Sequence, residues 1–139
     1  PLPFISAYAA SKAAIVRFVE NLSEELKSDK IDINAVAPGP LNTRMLDEVI
    51  KSGPKVVGES FYQKSLIQIK NGGTPFNEVD DLILFLASDY SNGISGKLIS
   101  AIWDKWSDWV EYKKLLNFSD MYTLRRVTAS DKGYDWGDK

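Results

Sequence analysis

Tyr8 and Lys12 stand four residues apart in the run Tyr8-Ala9-Ala10-Ser11-Lys12. On a helix that spacing is about one turn, so a phenol and an ammonium share one face. A free phenol titrates near 10, too high to exchange a proton well at neutral pH. A positive charge beside it favours the phenolate and makes the hydroxyl a usable general acid or base. Few other groups compete for that role. The 139 residues contain no cysteine and no histidine. Disulfides, thiolate nucleophiles, imidazole-ligated zinc and Ser-His-Asp hydrolysis are therefore excluded. No Asp-rich loop has the spacing of a calcium-binding hand, so no metal site is expected. Proton transfer falls to Tyr, Lys, Asp or Glu. A hydrolase or lyase has little support, because Ser11 has no histidine to activate it.

The elements that must position the pair follow from periodicity. Tyr8, Lys12, Ile15, Val19, Leu22 and Leu26 recur at alternating spacings of four and three. This predicts an amphipathic helix from Ala7 to about Lys27, with Ser6 as its N-cap. Lys12 falls on the apolar stripe, where an unpaired ammonium is costly to bury. Either it snorkels to water from the helix start, or it works with Tyr8. Ile31 to Ala37 reads as a buried strand that Pro38 stops. Pro38-Gly39-Pro40 forms a rigid turn at that strand end, the place where open α/β sheets bind ligands. Thr43 to Lys70 reads as one or two helices broken at Gly53-Pro54. Thr74 is expected as an N-cap, with Pro75 in the first helical position before Val79, Leu82, Ile83 and Leu86. Lys97 to Trp103 reads as a second strand. Trp106 to Leu116 suggests a short aromatic helix, and residues 117–139 are polar and irregular. This order is a piece of an α/β layer fold. Two strands do not make a sheet that stands alone, so it must be completed by further chain, by a second copy or by the tail.

Composition narrows the partners. The net charge is -2 and no basic cluster stands out, which argues against a nucleic-acid surface. Apolar runs such as Leu82 to Ala87 are too short to span a bilayer. No charged segment precedes an apolar one in the manner of a signal peptide, so a cytoplasmic location is expected.

Several signals occur in one order. Tyr8-Ala9-Ala10-Ser11-Lys12 opens the first helix, and Asn34-Ala35-Val36-Ala37-Pro38-Gly39 follows with Thr43. Thr74-Pro75 comes next with Glu78, then Phe85-Leu86-Ala87-Ser88-Asp89 and Ile94-Ser95-Gly96. Together they resemble the short-chain dehydrogenase/reductase family over about Ser6 to Trp103. The resemblance implies the C-terminal half of a Rossmann-like doubly wound parallel sheet over residues 1–103. An aromatic helical and irregular extension, 104–139, follows it. It implies NAD or NADP as cofactor and hydride transfer with a small carbonyl/alcohol substrate. Tyr8 and Lys12 are the implied catalytic residues. Lys12, Pro38, Gly39 and Thr43 are the implied cofactor-binding residues: Lys12 at the nicotinamide ribose, Pro38 and Gly39 as the turn lining the nicotinamide side, and Thr43 as a hydroxyl for its amide or phosphate. Asn34 matches a structural strand position. The helix over residues 7–28 is the implied face for homo-oligomer formation.

The departures are as informative. The family's Gly-x-x-x-Gly-x-Gly loop is absent, since none of the glycines has that spacing. Without it the pyrophosphate has no helix N-terminus on which to sit. The active-site serine, about a dozen residues before Tyr8, is also absent, and Ser6 is too close to replace it. The chain therefore reads as the catalytic half without the nucleotide-binding half, with negligible activity by itself. The tail, with Tyr122 to Val127 and Gly133 to Trp136, resembles extended bacterial members found among surface-polysaccharide or nucleotide-sugar enzymes. A sugar or nucleotide-sugar is then the implied substrate, and Arg125-Arg126 reads either as an anion-binding pair or as a solvated pair or a salt bridge across a subunit contact. The four tryptophans read as core and interface residues. The rival reading is a non-enzymatic interaction module derived from such an enzyme.

Overall fold

The structure, a computed structural model, describes residues 3–136. Its first helix, α1 (Ser6–Glu25), carries the predicted pattern. The N-cap is Ile5 rather than Ser6, which forms the first helical residue and makes no capping hydrogen bond. The helix ends short of Lys27 because residues 27–29 tighten into a single 3-10 turn, closed by Lys30 at a left-handed φ of 57°. The α2 (Arg44–Ser52), α3 (Pro54–Val57) and α4 (Glu59–Asn71) helices fill the region expected to hold one or two. The additional break falls at Gly58. Helix α5 (Phe76–Leu86) has Pro75 as its N-cap. Thr74, expected in that role, is instead buried, and its N–H donates to the Pro40 carbonyl at 2.9 Å.

Strands β1 (Ala35–Ala37) and β2 (Leu98–Ser100) pair in parallel, Ala35 opposite Leu98 and Ala37 opposite Ser100. Both are shorter than their apolar runs suggest, because side chains take over the backbone groups at the ends. Ahead of β1, Asp32 accepts the Gly93 N–H at 2.7 Å. The Asn34 amide donates to the Ile94 carbonyl at 2.7 Å, and its oxygen accepts the Lys97 N–H at 3.0 Å. After β2, Asp104 accepts the Ser100 N–H at 2.7 Å, and the Trp103 N–H turns back to the Ser100 hydroxyl at 3.2 Å. Asn34 thus ties two loop groups that no strand partner reaches. Asn34→Ala should destabilise the fold by roughly 1–3 kcal/mol, the cost of leaving such groups unsatisfied. A urea midpoint unchanged from the parent would contradict that role.

The core lies between the sheet, α5 and α6 (Trp109–Asn117). Leu82, Ile94, Ile99, Ala101, Trp109 and Leu116 are its buried residues. The aromatic helix therefore belongs to the same core as the strands. Of the tryptophans, Trp109 is buried, Trp106 is half-buried with its indole N–H on the Ala101 carbonyl, and Trp103 and Trp136 are exposed. No described helix is long and apolar enough to cross a membrane.

The stripe of α1 is buried only toward its C-terminal half, where Val19 and Ser23 pack inward. Ile15 and Phe18 are 50% and 63% exposed. A helix of twenty residues spans about 30 Å, more than two short strands can cover.

Candidate active site

The direction of α1 sets where Tyr8 lies. Ser23 packs so closely on Gly96 that a Cβ there would collide with it. The Gly96 N–H donates to the Ile33 carbonyl at 2.7 Å. The C-terminal part of α1 therefore lies at the start of both strands, and α1 packs against β1. Tyr8 is then roughly 22 Å back along the helix from Ser23. Gly39 is roughly 20 Å along the chain from Ile33 if the segment is extended. The Pro38-Gly39 turn lies beyond the carboxyl end of β1. Ligands of open α/β sheets bind at that end.

Tyr8 and Lys12 lie together near the start of α1. The Lys12 Nζ lies 5.3 Å from the centre of the Tyr8 ring, within the range of attraction between a cation and an aromatic face. Both side chains are exposed, so the ammonium avoids the burial cost that its place on the stripe implied. The Ser11 hydroxyl donates to the Tyr8 carbonyl at 2.7 Å and is occupied within the helix.

The turn after β1 is held from beneath. Gly39 has φ +81°, a conformation that L side chains rarely adopt. A Cβ there would lie 2.6 Å from the Thr74 hydroxyl and 2.8 Å from Ile102 Cδ1. The close approach that requires glycine is made by the protein itself. Thr43 is the N-cap of α2, but its side chain makes no capping hydrogen bond and is exposed. Its hydroxyl therefore faces solvent near the turn. Gln68 fastens α4 to the same loop by donating to the Leu41 carbonyl at 3.0 Å. Beside the turn lies a cleft of about 560 Å³ whose walls include Pro40, Lys64, Gln68, Thr74, Glu78 and Ile102.

Two contributors escaped the sequence reading. Phe4 packs on Gly58, where a Cβ would come within 2.9 Å of its ring. The approach to Tyr8 thereby touches the hinge between α3 and α4, a contact with no local signal. The other is the place of Thr74 beneath Gly39, where its expected capping role gives no hint of it. Among the described residues no group of three or more His, Cys, Asp or Glu side chains is arranged to hold a metal ion.

Residues 2–101 match the family model described as enoyl-(acyl carrier protein) reductase. The chain belongs to the short-chain dehydrogenase/reductase family. It is 35% identical over 99 residues to the uncharacterized oxidoreductase YjdA of Bacillus subtilis, covering 71% of this chain and 36% of that protein. It is 37% identical over 92 residues to the 3-oxoacyl-[acyl-carrier-protein] reductase FabG of Thermotoga maritima, covering 66% of this chain and 35% of the relative. It is 32% identical over 102 residues to the L-2,3-butanediol dehydrogenase of Corynebacterium glutamicum, with 70% and 39% covered. The chain thus spans little more than a third of the length of these relatives. No solved structure matches it.

All the candidate residues of this short-chain dehydrogenase/reductase, Tyr8, Lys12, Pro38, Gly39 and Thr43, fall inside the matched segment, and the tail lies outside it. In the tail, Arg125 is committed within the chain. It grips Asp131 with two nitrogens at 2.7 and 3.0 Å and pairs with Asp120. The guanidinium and the Thr128 N–H hold the Asp131 carboxyl well below its ordinary value of 3.8. Arg125 thus pairs within its own chain, an arrangement that neither the anion-binding reading nor a salt bridge across a subunit contact anticipated.

Proposed function

We propose that this chain supplies the proton-transfer pair and the nicotinamide-side wall of an NAD(P)-dependent oxidoreductase acting on a carbonyl/alcohol pair. The observation that carries this reading is Lys12 Nζ 5.3 Å from the centre of the Tyr8 ring. Tyr8 donates its phenolic proton to a carbonyl oxygen during reduction and accepts one from the alcohol during oxidation. Lys12 stabilises the phenolate left behind, as a positive charge 5.3 Å from the centre of the ring that bears it. The bound nicotinamide supplies or accepts the hydride.

The residues fit one end of that cofactor. Lys12 has free donors for ribose hydroxyls, the exposed Thr43 hydroxyl suits an amide or phosphate, and the Pro38-Gly39 turn forms a wall that carries no side chain at Gly39. The 139 residues hold no glycine loop for the pyrophosphate. By itself the chain should therefore turn over NAD(P)H negligibly. Combined with the part of the Thermotoga maritima reductase outside its matched segment, it should reduce 3-oxoacyl or diketone substrates. In that combination Lys12→Met should lower kcat/KM by roughly 10²-fold, as expected for a charge that assists proton transfer. NAD(P)H-dependent turnover that never appears, or that survives Lys12→Met intact, would contradict the assignment. The extended resemblance of the tail adds sugars and nucleotide-sugars to the substrates worth assaying.

A second reading concerns association. Ile15 and Phe18 leave an exposed apolar patch on α1, and exposed apolar patches mark interaction sites. We infer that residues 7–28 form the face through which two copies pair.

A further inference from the structure

We propose that residues 118–125 form a fastened strap that closes the outer edge of β2 against strand addition by a second copy of this chain. A strand at a sheet edge presents unpaired N–H and C=O groups and is a template for another chain. In β2 the backbone around Ile99 faces β1, and alternate amides face away. The two outward amides are Leu98 and Ser100. The Leu98 N–H donates to the Tyr122 carbonyl at 2.8 Å. The Ser100 N–H donates to the Asp104 carboxylate at 2.7 Å. Residues beyond the strand thus occupy both donors that a neighbouring copy would use.

The strap is held at three further points. Lys97, 4% exposed, donates through Nζ to the Ser119 and Met121 carbonyls, each at 3.1 Å. Burial lowers its pKa from the ordinary 10.5, an effect opposed by Asp120 and Glu20. An ammonium placed there at a desolvation cost binds the strap through two backbone oxygens. The Tyr122 ring lies 4.4 Å from buried Trp109, and its backbone takes a left-handed φ of 59° that turns its carbonyl onto β2. Beyond it, α1 grips Leu124 from both sides. The Leu124 N–H donates to Glu20 Oε1, and the Arg17 guanidinium donates to the Leu124 carbonyl while pairing with Glu20 at 2.8 Å. A carboxylate and a guanidinium thereby imitate a strand partner for one residue. None of these groups belongs to the proposed proton-transfer pair, so the strap stands or falls independently of the oxidoreductase reading.

Lys97→Met and, separately, Arg17→Ala test it. Amide exchange and molar mass by light scattering are read against the parent chain. Release should speed exchange at Leu98 and Leu124 by about tenfold or more, and leave Ala101, bonded to the Ala37 carbonyl, protected. The molar mass should then rise with concentration above that of the parent. If Lys97→Met also exposes Ala101, it has unfolded the sheet, and Arg17→Ala, an exposed position, decides the matter. Unchanged protection at Leu98 would overturn the strap. Released amides without a rise in mass would overturn its role as an edge guard.

Discussion

Tyr8→Phe should lower NAD(P)H-dependent turnover by roughly 10²–10⁴-fold, the usual contribution of a positioned general acid. The expectation applies to the chain combined with the remainder of a relative, where the nucleotide end of the cofactor has a seat. The substitution removes one hydroxyl from a ring that is 45% exposed. Its ring stays beside Lys12, and the Ser11 hydroxyl bonds the Tyr8 backbone, which is unaltered. Surface changes of this kind usually move stability by no more than about 0.5 kcal/mol. Kinetics and folding are thus expected to separate: kcat falls while the thermal midpoint barely moves. A matched loss of both would mean that Tyr8 is a packing residue and not a proton donor.

Gly39→Ala should act in the opposite manner. Its φ of +81° costs an L residue energy, and the new methyl would meet Thr74 at 2.6 Å and Ile102 at 2.8 Å. Left-handed strain and overpacking together amount to roughly 2–5 kcal/mol. A melting temperature lower by on the order of 10 °C should result. Thr74 is buried and its N–H holds Pro40, so the turn has little room to give. The double substitution Gly39→Ala with Thr74→Ser should recover little, because Oγ stays and the left-handed strain remains. Full stability of Gly39→Ala, measured by calorimetry, would show that the turn is looser than these contacts imply.

Much of this was legible in the chain, and the rest was not for definite reasons. The four-three spacing from Tyr8 to Leu26 marked α1, and Pro38 marked the end of β1, because each is a local signal. Tyr8 and Lys12 being on one face followed from the same geometry. The strand runs Ile31–Ala37 and Lys97–Trp103 overshot, since the polar members Asp32, Asn34 and Asp104 bond distant backbone groups in place of the ladder. Nothing in the run beginning at Lys97 distinguishes a buried ammonium from a solvated one. Its partners lie more than twenty residues away in an irregular segment. The same holds for Arg17 and Glu20, which look like an ordinary solvent-facing pair until Leu124 arrives between them. The sheet that two strands left incomplete gains its closure from the tail on one side, one of three completions open to the sequence.

In the proposed reaction Tyr8 passes a proton to a substrate whose carbon exchanges hydride with nicotinamide. The most direct test is the transfer of deuterium from NAD(P)H labelled at nicotinamide C4 into the alcohol product, followed by mass spectrometry for the parent and Tyr8→Phe combinations. Label entering the product with the parent and falling to background with Tyr8→Phe, at unchanged folding, is the predicted result. Product labelled at the parent rate in Tyr8→Phe would contradict the assignment of the proton donor, and product that never carries label would contradict the reaction itself.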